Sequence, residues 1–165
     1  MIFVTVGTHF QGFERLVRAV DELAAGLGEP VVIQYGSSSY IPRHAKGFQW
    51  APSQRMEQLT RQARLVVTHA AAGAIILALR SGKPTVVVPR RRALGEIFDD
   101  HQGQLAEALE RAGRAVAVSD PTPQALRAAI QRSAGLDLAP AEAAPLIQAV
   151  RQQLRAWELS KKNRT

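Results

Sequence analysis

The chain of 165 residues contains no cysteine. This excludes a disulfide scaffold, a thiol nucleophile and a zinc site built on thiolates, leaving the four histidines and the carboxylates as the only side chains able to hold a metal. Aromatics make up only 5% of the residues, and they are not interleaved with Lys and Arg as a nucleic-acid stacking platform requires, so no nucleic-acid partner is expected. Long apolar runs are missing too. The most apolar stretch, Leu65 to Leu79, contains Thr68, His69 and Gly73 and falls short of the ~20 residues of a membrane span. Met1 runs directly into Ile2-Phe3-Val4-Thr5-Val6 with no basic n-region or cleavage site, so no secretory signal is expected and the chain is placed in the cytoplasm.

What the chain does have is the balance of an ordinary globular domain, with 46% hydrophobic and 21% charged residues. Its formal net charge of +7 favours polyanions, whether nucleic acid, anionic membrane or a phosphorylated substrate. Short β-branched runs at Ile2–Val6, Val31–Tyr35, Leu65–Thr68, Thr85–Val88 and Ala115–Val118 read as buried strands. Between them, Phe13, Leu16, Val17, Val20, Leu23, Ala24 and Leu27 repeat as one helix face that Gly28 ends. Further helices are predicted over Gln54–Ala63 with Ser53 as N-cap, over Gly73–Arg80, over His101–Ala112 with Gly113 as stop, and over Pro123–Ser133 after Thr122. Strands alternating with helices imply right-handed crossovers and an α/β, Rossmann-like doubly wound parallel sheet. The domain is expected over residues 1–135. Residues 136–165 read as a linker, an amphipathic helix carrying Leu146, Ile147, Val150, Leu154 and Trp157, and a basic tail with Lys161, Lys162 and Arg164.

Open parallel sheets bind ligands beyond the carboxyl ends of their strands. After the first strand, Gly7 permits a tight turn, and Thr8 or His9 faces an anion at the next helix start. The third glycine of a dinucleotide fingerprint is absent and the second strand ends in Gln34-Tyr35-Gly36, with no acidic residue, so a nicotinamide cofactor is disfavoured. Thr68-His69-Ala70-Ala71-Ala72-Gly73 is a small-residue turn into a helix, where amides receive a diphosphate without a P-loop lysine. Arg90, Arg91 and Arg92, followed by Glu96, Asp100, His101 and Gln102, offer an anion clamp beside the sheet edge. Phe48-Gln49-Trp50 supplies aromatic and amide groups for stacking and reading a nucleobase. Together these suit a nucleotide sugar.

At Gly7-Thr8-His9-Phe10-Gln11, Val66-Val67-Thr68-His69-Ala70 with Gly73, Ala78 to Pro84, and Asp100-His101-Gln102 with Leu105-Ala106, the chain resembles family 28 glycosyltransferases. Within that family it is most similar to the small nucleotide-binding subunit of two-chain enzymes, in which a membrane-anchored chain supplies the acceptor half of a GT-B fold. Pro89 to Glu96 resembles the bacterial exopolysaccharide branch, and the GlcNAc transferase of asparagine-linked glycosylation is a cousin. The resemblance implies the donor half of a GT-B fold and transfer of a hexuronate, galactose or GlcNAc from a UDP-sugar to a lipid-linked saccharide. It implies a subunit inactive without its partner chain and recruited to the inner face of the cytoplasmic membrane. By position, Phe48 to Trp50 would flank the uracil, Gly73 would hold the diphosphate, and His101 and Gln102 would bond the sugar hydroxyls. Relatives commonly carry glycine at the place of Ala71, serine or threonine at Ala74, and a ribose-bonding glutamate at Leu77. Leucine cannot accept that bond, so a changed ribose contact is implied.

An inverting transfer needs a base for the acceptor hydroxyl and stabilisation of the departing UDP. His9 is the candidate base within this chain, and in related single-chain enzymes the base lies in the acceptor half. Helix amides near Gly73 and the arginines would meet the UDP charge, with no cofactor and no metal expected. The alternatives are a noncatalytic paralogue, motivated by Leu77 and Ala74, and a basic anion-binding module.

Overall fold

The computed structural model describes residues 1–99 and 101–136. The expected C-terminal helix and basic tail, and Asp100, lie outside the described residues. Six strands, β1 (Ile2–Thr5), β2 (Val31–Gln34), β3 (Lys46–Phe48), β4 (Leu65–His69), β5 (Thr85–Val88) and β6 (Val116–Ala117), form one parallel sheet in the order β3-β2-β1-β4-β5-β6. Among the described residues, five α-helices connect and cover them: α1 (Glu14–Ala24), α2 (Ser53–Gln62), α3 (Ala72–Arg80), α4 (His101–Arg111) and α5 (Pro123–Ser133). The chain winds outward from β1 through β2 to β3, then returns to β4 on the other side of β1. The two neighbouring strands whose connections leave in opposite directions are therefore β1 and β4, and a crevice opens above their carboxyl ends.

The sheet is buried on both faces, which is why its strands read as continuous β-branched runs. Side-chain alternation divides the core: Ile2, Val4, Val67, Val86 and Val88 pack with Leu16, Val17 and Val20 of α1 and Leu126 and Ile130 of α5. On the other face Phe3 and Val66 meet Leu59 and Ala63 at α2 and Ala78 of α3, while Val87 meets Ile75, Leu79, Leu105 and Leu109. The five expected strands are β1, β2, β4, β5 and β6. The additional strand, β3, is a three-residue edge of Lys46, Gly47 and Phe48.

Several boundaries differ from the expectation for local reasons. Thr122 caps α5 as expected, its Oγ1 accepting from the Ala125 N–H at 3.1 Å. At α2, Pro52 occupies the N-cap and Ser53 is the first helical residue, with no side-chain cap bond, because proline's missing N–H costs nothing there. Phe13 precedes α1 as its cap residue and is fully buried. The segment between β2 and β3 is fixed by Asp21 of α1, whose carboxylate accepts the amides of Arg43, His44 and Ala45 at 2.8, 2.8 and 2.9 Å and the Tyr40 hydroxyl at 2.8 Å. Burial pushes the Asp21 pKa upward, but these donors outweigh it and hold the carboxyl below its ordinary 3.8.

Candidate functional site

Gly7 leaves β1 at φ +77, and a Cβ there would lie 2.6 Å from the His69 ring. Glycine is therefore required twice at this point, for the left-handed backbone and for close approach of the imidazole. His69 ends β4 almost fully buried, and burial together with the nearby Arg90 charge lowers its pKa to about 4. It is a neutral ring at physiological pH.

A crevice of about 590 Å³ opens here and is lined by the expected residues Thr8, His9, His69, Arg90, His101 and Gln102. Phe10 and Phe98, to which no sequence motif gives a role, stand at its rim, 69% and 65% exposed, with ring centroids 5.7 Å apart. His9 stacks on Phe10 at 4.8 Å. The His101 ring nitrogen Nδ1 contacts Asp99 Oδ1. Buried Gln102 accepts the Arg90 amide on its Oε1 at 3.0 Å, which fixes the start of the loop after β5.

Arg90 is the main correction. Expected as a clamp for a bound anion, it is 2% exposed and donates Nη1 to the carbonyls of Gln11, Gly12 and Glu96 at 3.0, 2.8 and 3.1 Å and Nη2 to that of Val6 at 3.0 Å. Its guanidinium carbon lies 4.7 Å from the Phe13 ring centroid. The fork that would have gripped a ligand instead joins the loops after β1 and β5. Burial lowers its pKa to about 10, so it stays cationic.

Glu96 is likewise internal, accepting Arg15 Nε at 2.7 Å, Arg15 Nη2 at 3.0 Å and the Arg91 amide at 2.9 Å. Arg91 and Arg92 are not among the crevice-lining residues, and Arg92 begins a short 3₁₀ turn at the surface. Thr68 is fully buried, with its hydroxyl donating to the Thr5 carbonyl at 3.3 Å.

His9 Nδ1 accepts the Gln11 amide at 3.3 Å. In the neutral ring this bond leaves the proton on Nε2. Burial and the Arg90 charge lower its pKa as well.

The expected groups at Gly73 and at Phe48 to Trp50 do not line the crevice. Helix α3 begins without a side-chain cap, so its first-turn amides have no partner from that source. A Cβ on Gly73 would meet nothing within 4 Å, and Leu77, one turn later on the same face, is half-buried. Phe48 packs against the core cluster containing Leu59, leaving Trp50, 50% exposed, as the aromatic of this trio available for stacking.

Two acid-sensitive windows follow. The folded-state pKa of His69 is depressed, so its contribution to stability is full above its ordinary 6.5 and is lost as pH falls through about 4. That of Asp21 is full above its ordinary 3.8 and is lost below it. Urea unfolding from about pH 7 to about pH 3 is expected to show both. His69→Asn should flatten the upper window and spare the lower one; an unchanged upper slope would assign that window to other groups.

The family model described as glycosyltransferase family 28 C-terminal domain matches residues 1–153. The UDP-N-acetylglucosamine transferase subunit ALG13 of Mus musculus is 31% identical over 122 residues, covering 67% of this chain and 10% of that protein. The chain thus spans about a tenth of this curated relative. Among solved structures, the glycotransferase of kitacinnamycin superposes with a TM-score of 0.63 and 27% identity over 94% of this chain and 39% of that one. The solution structure of ALG13 superposes at 0.55 and 22% identity, covering 84% and 87%. The sheet and its crevice have the fold of one half of a GT-B glycosyltransferase. Among the described residues, no helix is long and apolar enough to cross a membrane.

Proposed function

The chain belongs to the glycosyltransferase family 28 C-terminal domain family, and from this premise we propose that it is the donor-binding half of an inverting, UDP-sugar-dependent glycosyltransferase. The observation that carries the reading is the uncapped start of α3 beside the β1/β4 crevice, with Gly73 facing open space. A diphosphate laid there receives helix amides and the positive end of the helix dipole, and no Cβ keeps it away. These amides are assigned to the charge that grows on UDP as it departs, without a metal. Trp50 stacks on the uracil. His101 and Gln102 bond the donor sugar, and His9 donates through Nε2 to a ligand oxygen. The base that takes the acceptor proton is assigned to the other half of the cleft.

The donor sugar is a hexuronate, galactose or GlcNAc. The name of the mouse relative supports GlcNAc, and the exopolysaccharide-like Pro89 to Glu96 segment supports the other two. The acceptor half is placed on a membrane-anchored partner chain that presents a lipid-linked saccharide at the inner face of the cytoplasmic membrane. The purified chain is expected to bind a UDP-sugar and transfer none of it, with transfer appearing on co-expression with such an acceptor subunit. Robust transfer to a lipid-linked acceptor by the purified chain alone would contradict this division of labour.

Leu77 gives the site a further test. With no carboxylate on that face of α3, UDP and 2′-deoxy-UDP are expected to bind alike. Leu77→Glu should create a preference for UDP of about tenfold, the scale of one charge-assisted hydrogen bond. No preference in the variant would place the ribose elsewhere.

A further inference from the structure

Gln34 closes β2 at the position where many nucleotide-binding sheets carry a ribose-reading acid. Here the side chain turns inward. It is 2% exposed, and its amide is saturated on every side. Oε1 accepts the Thr5 hydroxyl at 2.7 Å and the Gly7 amide at 3.1 Å, while Nε2 donates to the Gly7 carbonyl at 3.0 Å and the Gln49 carbonyl at 2.8 Å. Two acceptors and two donors are the whole capacity of a primary amide. Thr5, Gln34 and Phe48 are register partners across β1, β2 and β3, so this one side chain spans the ends of three adjacent strands. Gly36, at φ +55, keeps the junction open, since a Cβ there would lie 2.7 Å from the Gly7 carbonyl oxygen and 3.3 Å from Gln34 Nε2.

We propose that Gln34 is a positioning residue that locks the loop after β1 to the loop after β3, and so fixes the spacing between the diphosphate and nucleobase sides of the donor site. The proposal rests on the donor-site reading above. The chemistry demands glutamine. A carboxylate of the same length offers acceptors alone and would face the carbonyls of Gly7 and Gln49, whereas asparagine is one methylene shorter. Holding both loops in register spares a nucleoside diphosphate the cost of ordering them on binding. The hydrogen-bond chain Gly7–Gln34–Gln49 also transmits polarisation from one loop to the other.

The test is an amide-resolved NMR titration of the full chain with inorganic pyrophosphate and with UDP. Pyrophosphate carries no base to stack on Trp50. It is nonetheless expected to shift the Trp50 amide along with those of Gly7 and Gly73, because the Trp50 nitrogen is bonded to the Gln49 carbonyl that Gln34 holds. In Gln34→Met, a side chain of similar size without the amide, Gly7 and Gly73 should still respond and Trp50 should not. UDP affinity in that variant should fall about 10- to 100-fold, and pyrophosphate affinity by less than about threefold.

Retention of UDP affinity in Gln34→Met overturns the proposal. So does a wild-type Trp50 amide that stays still while Gly7 and Gly73 shift, and this second result decides the matter even if the variant fails to fold. If neither ligand moves Gly7 or Gly73 in the wild type, the donor-site reading itself fails and the proposal falls with it.

Discussion

Arg90→Met is expected to lower folding stability by about 3–5 kcal/mol, because it strips buried carbonyls of a charged donor, at about 1–3 kcal/mol for each polar group left unpaired. The four carbonyls it holds belong to the loops after β1 and β5 and to Glu96. Without the guanidinium they must find water or separate. Arg90→Lys should recover little of the loss, because an ammonium keeps the charge but cannot reproduce the planar fork. Urea unfolding followed by circular dichroism measures both variants. Full recovery with lysine would show that charge, and not the fork, is what matters there. The folded fraction of either variant should also bind UDP poorly, since the two loops frame one crevice.

The second large effect has opposite signs in stability and binding. Gly73→Ala sits in the first turn of α3, where the added methyl meets open space, so the fold should gain about 0.4–1 kcal/mol through a less flexible unfolded chain. The same methyl occupies the place assigned to the diphosphate, and UDP affinity should drop about 10- to 100-fold, as expected when a carbon is forced into a filled site. A thermal melt and a calorimetric titration on the same sample read the two signs. A more stable variant that binds UDP as well as the wild type would remove α3 from the phosphate site.

The legible parts of this molecule are those governed by local rules. Buried parallel strands announce themselves as β-branched runs, Thr122 as a cap, and Gly7 as a turn, because each depends on near neighbours in sequence. The edge strand β3 was not legible, since Lys46-Gly47-Phe48 is short, largely exposed and without a β-branched residue. In the sequence Arg90 is one of three adjacent arginines. Only the fold distinguishes it, because its partners Val6, Gln11 and Gly12 lie 78 to 84 positions earlier. Arg15, which clamps Glu96, and Gln34 were hidden for the same reason. Polar side chains that serve the backbone of distant loops carry no periodicity.

The most direct test of the donor-half assignment is an amide-resolved titration of the purified chain with UDP and, separately, with ADP. A UDP-sugar site at the β1/β4 crevice requires saturable shifts at Gly7, at the first turn of α3 around Gly73, and at Trp50, with UDP bound more tightly than ADP. Equal affinities for the two nucleotides, with shifts scattered over surface lysines and arginines and none at Gly73, would contradict the assignment and leave a basic anion-binding module in its place.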